Sequence, residues 1–228
     1  MRYKAVIFDL FGTLVDNPPP EGYQETLRRD AASLCVPIDD FIRFWRETAH
    51  DRHRGTIPSI EANFALICER LGAKVSVAAI EQATRLRYDY IASQVAPRAD
   101  ALSTLSAIRA RGLKIALVSN CSPETPRLWD DLPLKQFFDA TIFSSSAGVA
   151  KPERRIYEMA LAALKMKAKD CLYVGDGESD ELNGAAAVGM HPVMIRAPYE
   201  EGDERHVTAR QPWDGPSVSS LTEVLGLL

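Results

Sequence analysis

Carboxylate, hydroxyl and amide side chains follow directly after short apolar segments at several points of this sequence. Asp9 comes after the apolar run 5–8, Ser119 and Asn120 close a second run, and Asp176 follows a third. An ionised aspartate can attack phosphorus or carbon and form a covalent intermediate, which divides one difficult step into two. A hydroxyl and an amide can hydrogen-bond the peripheral oxygens of a phosphoryl group. The pattern indicates nucleophilic chemistry, although each residue taken alone also suits an ordinary turn.

Two further features complete this chemistry. Asp9 and Asp176 together offer carboxylate oxygens to a small hard cation such as Mg²⁺, which leaves coordination positions for water and a substrate oxygen. Lys151 precedes Pro152 and is predicted to lie in the first turn of a helix, where it would neutralise charge on the nucleophile and the phosphoryl group. Taken alone, Lys151 equally suits an exposed surface position.

These polar residues need a framework that brings strand ends together. Five apolar runs predict strands at 5–8, 113–118, 140–143, 171–174 and 192–195. Helices are predicted at 99–111, 152–165 and 179–188, and a last helix is expected at 219–227 after a surface loop at 198–217. This alternation predicts the α/β class with a parallel, doubly wound sheet, in which ligands bind at the carboxyl ends of the strands.

Between the first two predicted strands, the segment 18–94 shows helical periodicity and no comparable strand. Helices are predicted at 23–34, 39–53, 59–71 and 76–92. Proline marks the entrance at 16–20 and the exit at 95–97. We therefore divide the chain into a Rossmann-like core, 1–16 and 96–228, and an inserted all-helical cap, 17–95, which its two adjacent connections would hinge as a lid.

Composition restricts the class of protein. Of 228 residues, 46% are hydrophobic and 25% are charged, as in an average soluble globular protein. A formal net charge of -4 gives no field that would collect nucleic acid or an anionic membrane. The first residues lack a signal-peptide core and no stretch approaches ~20 apolar residues, so we expect a cytoplasmic protein, either a monomer or a homodimer. Without a C-x-x-C pair, the cysteines are predicted to be buried free thiols: Cys35, Cys68, Cys121 and Cys171.

Four motifs together resemble the haloacid dehalogenase-like hydrolase superfamily, whose members are mostly phosphatases. The motifs are Asp9-Leu10-Phe11-Gly12-Thr13, Ser119-Asn120, Lys151-Pro152 and the segment 175–185. Their order, their places after predicted strands and the helical insert after the first motif make chance agreement improbable. The resemblance covers the whole chain and implies Mg²⁺-dependent hydrolysis of a small phosphorylated metabolite through an aspartyl-phosphate on Asp9.

The resemblance also assigns roles to individual residues. It implies that Asp9 is the nucleophile and that Thr13 orients phosphoryl oxygens. The remaining contacts to the phosphoryl group are then expected from Ser119, Asn120 and Lys151. These roles agree with the residue types, which supply an anionic nucleophile, neutral hydrogen-bond donors and one cation.

For the metal, the resemblance implies three protein ligands. They are the carboxylates of Asp9 and Asp176 and the main-chain carbonyl of Phe11. Family members usually carry another acid about five residues after the first acid of the fourth motif. That place falls on Glu181, with Asp180 as the competing candidate. We favour Glu181 as a support that holds metal-bound water.

One residue departs from the family pattern. Most phosphatases of this superfamily have a second aspartate two residues after the nucleophile, which protonates the leaving alcohol and later activates water; here that residue is Phe11. Phenylalanine cannot exchange protons, and losing general acid–base catalysis costs on the order of 10²–10⁴ in rate for a poor alkoxide leaving group. A phosphatase would then need good leaving groups or an acid from the insert, for which His50, Asp51 and His53 are candidates.

Two other functions stay open. In 2-haloacid dehalogenases, an aromatic residue occupies the position of Phe11, and the departing halide needs no proton. The arginine-rich stretch 45–54 of the insert offers side chains that grip carboxylates. Asp176 argues against this function, because such dehalogenases replace it and because clustered carboxylates without a metal repel a carboxylate substrate. The remaining possibility is a ligand-binding module with weak residual turnover.

Overall fold

The computed structural model describes residues 2–16, 20–198 and 213–228. Six parallel strands form one sheet in the order β3-β2-β1-β4-β5-β6. The strands are β1 Ala5–Phe8, β2 Lys114–Ser119, β3 Ala140–Phe143, β4 Cys171–Gly175, β5 His191–Ile195 and β6 Ser217–Val218. The predicted α/β class is confirmed, and β1 to β5 lie where the apolar runs placed them. The two-residue β6 was not expected, because so short a segment carries no periodicity.

In the described part of the chain, eleven α-helices accompany the sheet. The first five lie between β1 and β2: α1 Pro20–Ser33, α2 Ile38–Glu47, α3 Ala49–His53, α4 Ile60–Arg70 and α5 Val77–Gln94. The others are α6 Ala101–Ala110, α7 Glu124–Trp129, α8 Ser144–Ala147, α9 Arg154–Leu164, α10 Glu181–Ala187 and α11 Leu221–Val224. We refer to α1 to α5 as the helical insert. The short helices α7 and α8 were not expected.

Helices cover both faces of the sheet. Val6 and Leu117 belong to the core formed with α6 and α11, whereas Ile7 and Tyr173 belong to the core formed with α9 and α10. All four side chains are fully buried. The apolar runs of the sequence are uninterrupted because a parallel sheet covered on both faces has no solvent side.

The helical insert has a hydrophobic core of its own. Phe41 and Trp45 of α2 and Phe64 of α4 pack with ring centroids 5.8–6.1 Å apart. The two connections of the insert run side by side, since Val15 forms a bridge with Pro97. The division into a core, 1–16 and 96–228, and a cap, 17–95, stays a proposal. Residues 17–19 of the expected entrance connector lie outside the described residues.

The helix predicted at 39–53 is in fact two helices, α2 and α3, separated at Thr48. In one continuous helix, the carbonyl of Trp45 would accept a hydrogen bond from a backbone N–H one turn later. Here that carbonyl accepts from the Thr48 hydroxyl at 3.1 Å and from the Arg52 guanidinium at 2.7 Å. The prediction was wrong because side-chain donors compete with the helical backbone.

Three other helix boundaries also differ from the prediction. Lys151 lies in a turn before α9 and not in the first helical turn, because Glu153 has an extended backbone with φ -60° and ψ 130°. The predicted helix 179–188 begins only at Glu181, since Ser179 and Asp180 have positive φ of 56° and 54°. At the end of the chain, α11 is shorter than the expected 219–227, and the expected loop 198–217 lies mostly outside the described residues.

The cysteines and the helix lengths bear on two other expectations. All four cysteines are free thiols, and Cys68, Cys121 and Cys171 are buried as predicted. Cys35 is exposed, which corrects the prediction; it follows the end of α1 with a positive φ of 53°. Within the described ranges, no helix combines the length and the apolar character that crossing a membrane requires.

Candidate active site

The Lys151 ammonium lies between two carboxylates at the carboxyl edge of the sheet. Its Nζ is 2.5 Å from Asp9 Oδ1 and 2.6 Å from Glu181 Oε2. No more than 7% of any of these three side chains is exposed. Asp176 adds a third carboxylate, and one oxygen from each of the three acids lies within 4.8 Å of the others.

Strand pairing explains why these distant residues meet. Phe8 of β1 pairs with Leu117 of β2 on one side and with Val174 of β4 on the other. The chain leaves β1 at Asp9, whose N–H donates to the Val174 carbonyl at 2.9 Å. The residues that follow β4, including Asp176, therefore emerge beside Asp9.

Burial dominates the electrostatics of the site. It raises the pKa of Asp9 to about 6, against the lowering effect of Lys151 and together with the raising effect of Asp176. The pKa of Glu181 is raised for the same reason, burial, again against Lys151 and together with Asp9 and Asp176. Burial alone would lower the pKa of Lys151, but the two neighbouring carboxylates outweigh it and raise this pKa, so the ammonium stays charged.

The charge balance and the donor atoms fit a divalent cation. With all three acids ionised, Asp9, Asp176 and Glu181 carry two more negative charges than Lys151 compensates. Carboxylate oxygens are also the ligands that Mg²⁺ prefers. Glu181 already accepts hydrogen bonds at both oxygens, from Lys151 and from the Gly177 N–H at 3.0 Å. The cluster of Asp9, Asp176 and Glu181 therefore offers donor atoms and excess negative charge to a divalent cation.

Thr13 and Ser119 lie at the same edge. The Thr13 hydroxyl donates to Asp9 Oδ2 at 3.3 Å and thereby orients the carboxylate. The Ser119 hydroxyl is completely buried and has no hydrogen-bond partner among the described residues. Buried polar groups are normally paired, so an orphaned hydroxyl here fits an oxygen of a bound ligand.

Asn120 makes different contacts from those expected. Its amide Nδ2 donates to the Lys151 carbonyl at 3.1 Å, and its Oδ1 accepts from the Lys151 N–H at 2.8 Å. The side chain thus holds the main chain of Lys151, and its expected contact with the phosphoryl group stays a prediction. Sequence reasoning could not see this pairing, because the two residues meet only through the fold.

The loop after β4 is shaped around the Glu181 carboxylate. A Cβ at Gly175 would lie only 2.1 Å from Glu181 Oε1, so this position requires glycine. Gly177 has a positive φ of 91°, and the left-handed Ser179 and Asp180 follow. Non-glycine residues adopt such a backbone at an energetic cost, so the surrounding structure must hold the loop in this shape.

Two tyrosines of the site were missed by sequence reasoning. The Tyr173 hydroxyl donates to Glu181 Oε2 at 2.7 Å, and the Tyr157 hydroxyl donates to the Glu181 carbonyl at 2.9 Å. Burial raises the pKa of both phenols, which keeps them protonated as donors. Nothing in the sequence distinguishes them from core aromatics, since Tyr173 lies inside an apolar strand.

A cavity of about 270 Å³ lies between the helical insert and the sheet; we call it the interface cavity. From the side of the sheet it is lined by Phe11, Asn120 and Ser179 among others. Of the three acid candidates from the insert, His53 lines it; His50 is exposed, and Asp51 is not part of the wall.

The arginines of the stretch 45–54 do not line this cavity. Arg46 is exposed, and Arg54 pairs with Glu153. Arg52 is buried with its guanidinium carbon 3.6 Å from the centre of the Trp45 ring. Arg52 thus packs within the helical insert and Arg54 joins the insert to Glu153, so neither side chain lines the cavity.

The fold and the arrangement of the site define a hydrolase of one family. A model of the haloacid dehalogenase-like hydrolases matches residues 3–189, and the chain belongs to that family. A glyceraldehyde 3-phosphate phosphatase from Methanothermobacter thermautotrophicus is 26% identical over 211 residues, which cover 90% of each chain.

Two further comparisons extend this result. Haloacid dehalogenase-like hydrolase domain-containing protein 3 from Bos taurus is 33% identical over 126 residues, which are 55% of this chain and only half, 50%, of that relative. A solved 2-haloacid dehalogenase from Pseudomonas syringae pv. Tomato superimposes with a TM-score of 0.71 and 21% identity, over 99% of this chain and 97% of that one. At this identity the structural match demonstrates the shared fold alone.

The close approach of Gly175 to Glu181 generates a prediction about stability. Gly175→Ala will displace the Glu181 carboxylate and lower the free energy of unfolding by about 1–3 kcal/mol, as overpacking does. In the control Gly226→Ala, the nearest atom to the new Cβ is 3.3 Å away, and we expect a change below about 0.5 kcal/mol. Urea denaturation measures the free energy of unfolding of both variants. Equal losses of stability in Gly175→Ala and Gly226→Ala would contradict the proposed steric constraint.

Proposed function

We propose that the protein is a Mg²⁺-dependent phosphatase that hydrolyses a small phosphorylated molecule through an aspartyl-phosphate on Asp9. The observation that carries this proposal is the buried 2.5 Å contact between Asp9 and Lys151, at the same edge of the sheet as the Ser119 hydroxyl, which has no hydrogen-bond partner in the described part of the chain. A carboxylate, an ammonium and a hydroxyl at one strand edge form a site for a tetrahedral anion. The phosphatase relative from Methanothermobacter thermautotrophicus supports the same reaction class.

In the first step, an oxygen of the Asp9 carboxylate attacks phosphorus, the new O–P bond forms, and the bond between phosphorus and the leaving oxygen breaks. Lys151 and Ser119 hold peripheral phosphoryl oxygens and compensate their charge. Thr13 keeps the carboxylate oriented through its hydrogen bond to Oδ2. Asn120 acts as a positioning residue, because it fixes the main chain that carries Lys151.

In the second step, water attacks phosphorus of the aspartyl-phosphate and releases a proton to solvent. The bond between phosphorus and the Asp9 oxygen breaks, phosphate leaves, and the carboxylate is restored. Lys151 remains between Asp9 and Glu181, so its charge is available in both steps.

When bound, Mg²⁺ compensates negative charge and lets the anionic nucleophile and the anionic phosphate approach each other. Asp9 and Asp176 would hold it through carboxylate oxygens, with the main-chain carbonyl of Phe11 as the third protein ligand. Glu181 would stabilise this arrangement, because its oxygens accept hydrogen bonds from Lys151, Gly177 and Tyr173.

Hydrolysis also requires a proton for the leaving oxygen of the ester. Phe11 cannot supply it, and His53 is the insert candidate that lines the interface cavity. Burial and then the charge of Arg52 lower the pKa of His53, which disfavours the protonated imidazole that an acid requires. We therefore propose that water protonates the leaving oxygen and that good leaving groups react fastest.

Dehalogenation of 2-haloacids fits this site less well. Such a substrate carries its own carboxylate into a site where Asp9, Asp176 and Glu181 already outnumber one ammonium. The arginines of the stretch 45–54 do not line the interface cavity, because Arg52 packs on Trp45, Arg54 pairs with Glu153 and Arg46 faces solvent. Phosphate ester hydrolysis with a divalent cation uses the same residues and balances their charge.

The nucleophile generates the first functional prediction. The protein will hydrolyse p-nitrophenyl phosphate with Mg²⁺ and stop when EDTA is added. Asp9→Asn will reduce the rate by roughly 10³-fold or more, because loss of a covalent nucleophile leaves only binding effects. Asp39→Asn, which changes an exposed aspartate of α2, serves as the control and will keep the activity.

Release of p-nitrophenol distinguishes the alternatives. Hydrolysis that persists in EDTA or in Asp9→Asn would refute the proposed mechanism. Release of chloride from 2-chloropropionate in place of p-nitrophenol would establish the dehalogenase. If neither p-nitrophenol nor chloride is released, the result would favour the ligand-binding module.

The position of Phe11 generates a second functional prediction. Phe11→Asp will raise kcat on the alkyl ester sn-glycerol 3-phosphate by ~10²-fold, because it adds a proton donor beside the leaving oxygen. The rate on p-nitrophenyl phosphate, whose leaving group needs no proton, will change little. Phe11→Ala controls for loss of the ring, and an equal gain in that variant would show that space and not the proton limits the rate.

A further inference from the structure

A buried ion network joins the helical insert to the sheet. Arg87 of α5 donates from Nη1 to Asp30 Oδ2 of α1 at 2.5 Å. It also donates to Glu124 Oε1 of α7, from Nε at 3.3 Å and from Nη2 at 3.0 Å. No more than 6% of any of these side chains is exposed. The Arg87 guanidinium carbon also lies 4.1 Å from the centre of the Trp45 ring. The charge of Arg87 is thus already shared by two carboxylates and one aromatic face.

Glu124 keeps one oxygen outside this network. Its Oε2 is buried and has no hydrogen-bond partner among the described residues. Glu124 lines the interface cavity together with Phe11 and Asn120, next to the proposed reaction centre. Leaving a buried carboxylate oxygen without a donor costs free energy, so this oxygen fits a donor on a molecule in the cavity.

The cavity offers little positive charge to such a molecule. Arg87 and His53 are the basic residues among the described side chains that line it. Arg87 faces two carboxylates, and burial and the charge of Arg52 lower the pKa of His53, which disfavours its charged form. A ligand carboxylate in this cavity would meet the Glu124 carboxylate without a free cation to compensate it.

We propose that Glu124 is a specificity-determining residue, which selects phosphate monoesters whose organic part carries a hydrogen-bond donor, a hydroxyl or an ammonium group, and rejects those that carry a carboxylate. The donor binds Glu124 Oε2, and a carboxylate in its place is repelled by like charge. The proposal rests on the proposed phosphatase function, because it places the leaving group of the ester in the interface cavity.

A matched pair of substrates tests this selection. sn-Glycerol 3-phosphate and 3-phosphoglycerate share the carbon skeleton and the primary phosphate ester, and they differ by a hydroxymethyl group against a carboxylate. Both have alkyl leaving groups, so the missing acid at Phe11 affects them alike. We expect kcat/KM to favour sn-glycerol 3-phosphate by roughly tenfold or more, the usual effect of one hydrogen bond to a charged group.

Two variants separate contact with the substrate from stability of the network. Glu124→Gln removes the charge and brings the ratio of the two kcat/KM values close to one. Asp30→Asn removes the other carboxylate from Arg87 but leaves Glu124 charged, and Asp30 does not line the interface cavity, so the ratio falls less than in Glu124→Gln. Circular dichroism confirms that both variants are folded.

The outcomes separate the two proposals. A ratio near one in the unchanged protein overturns the role of Glu124 whether or not the variants fold, and so does an equal loss of preference in both variants. In either case, continued hydrolysis of p-nitrophenyl phosphate leaves the phosphatase function standing. If p-nitrophenyl phosphate is not hydrolysed, both proposals fall.

Discussion

The candidate site depends on the burial of three carboxylates around a single ammonium. Lys151 lies 2.5 Å from Asp9 and 2.6 Å from Glu181, and Asp176 lies within the same cluster. Removing ions from water costs several kcal/mol per ion, and the opposite charges nearby must offset that cost. One ammonium offsets only part of it. The remaining negative charge explains why the site suits a divalent cation and, with it, an anionic substrate.

Much of the surrounding structure holds these charges in place. The pairing of β1 with β2 and β4 brings the strand ends together, and Asn120 fixes the main chain of Lys151. The space left by Gly175 accommodates the carboxylate of Glu181. The helical insert then closes the interface cavity, through the contact between Arg87 and Glu124. The same scaffold therefore serves the charge balance of the site and, in our proposal, the selection of the leaving group.

The strands and the charged centre could be predicted because their signals are local. Asp9 and Asp176 each follow an apolar run, and parallel strands bring such positions to one edge. Contacts made only by packing left no such signal. Glu124 is held by Arg87, 37 positions earlier, and the break at Thr48 depends on the donors that reach one carbonyl. The contact of Asn120 with the main chain of Lys151 left no signal for the same reason.

Isothermal titration calorimetry with Mg²⁺ tests most directly the claim that the carboxylate cluster suits a divalent cation. It measures the binding of the cation and needs no assumption about the substrate. We predict one Mg²⁺ per chain, with an affinity that falls roughly 10-fold or more in Asp176→Asn. Asp180→Asn serves as the control, because Asp180 belongs to the same loop and accepts a hydrogen bond from Asn183. We expect this variant to bind Mg²⁺ with the affinity of the unchanged protein. No binding by the unchanged protein, or equal affinity in Asp176→Asn, would contradict the account.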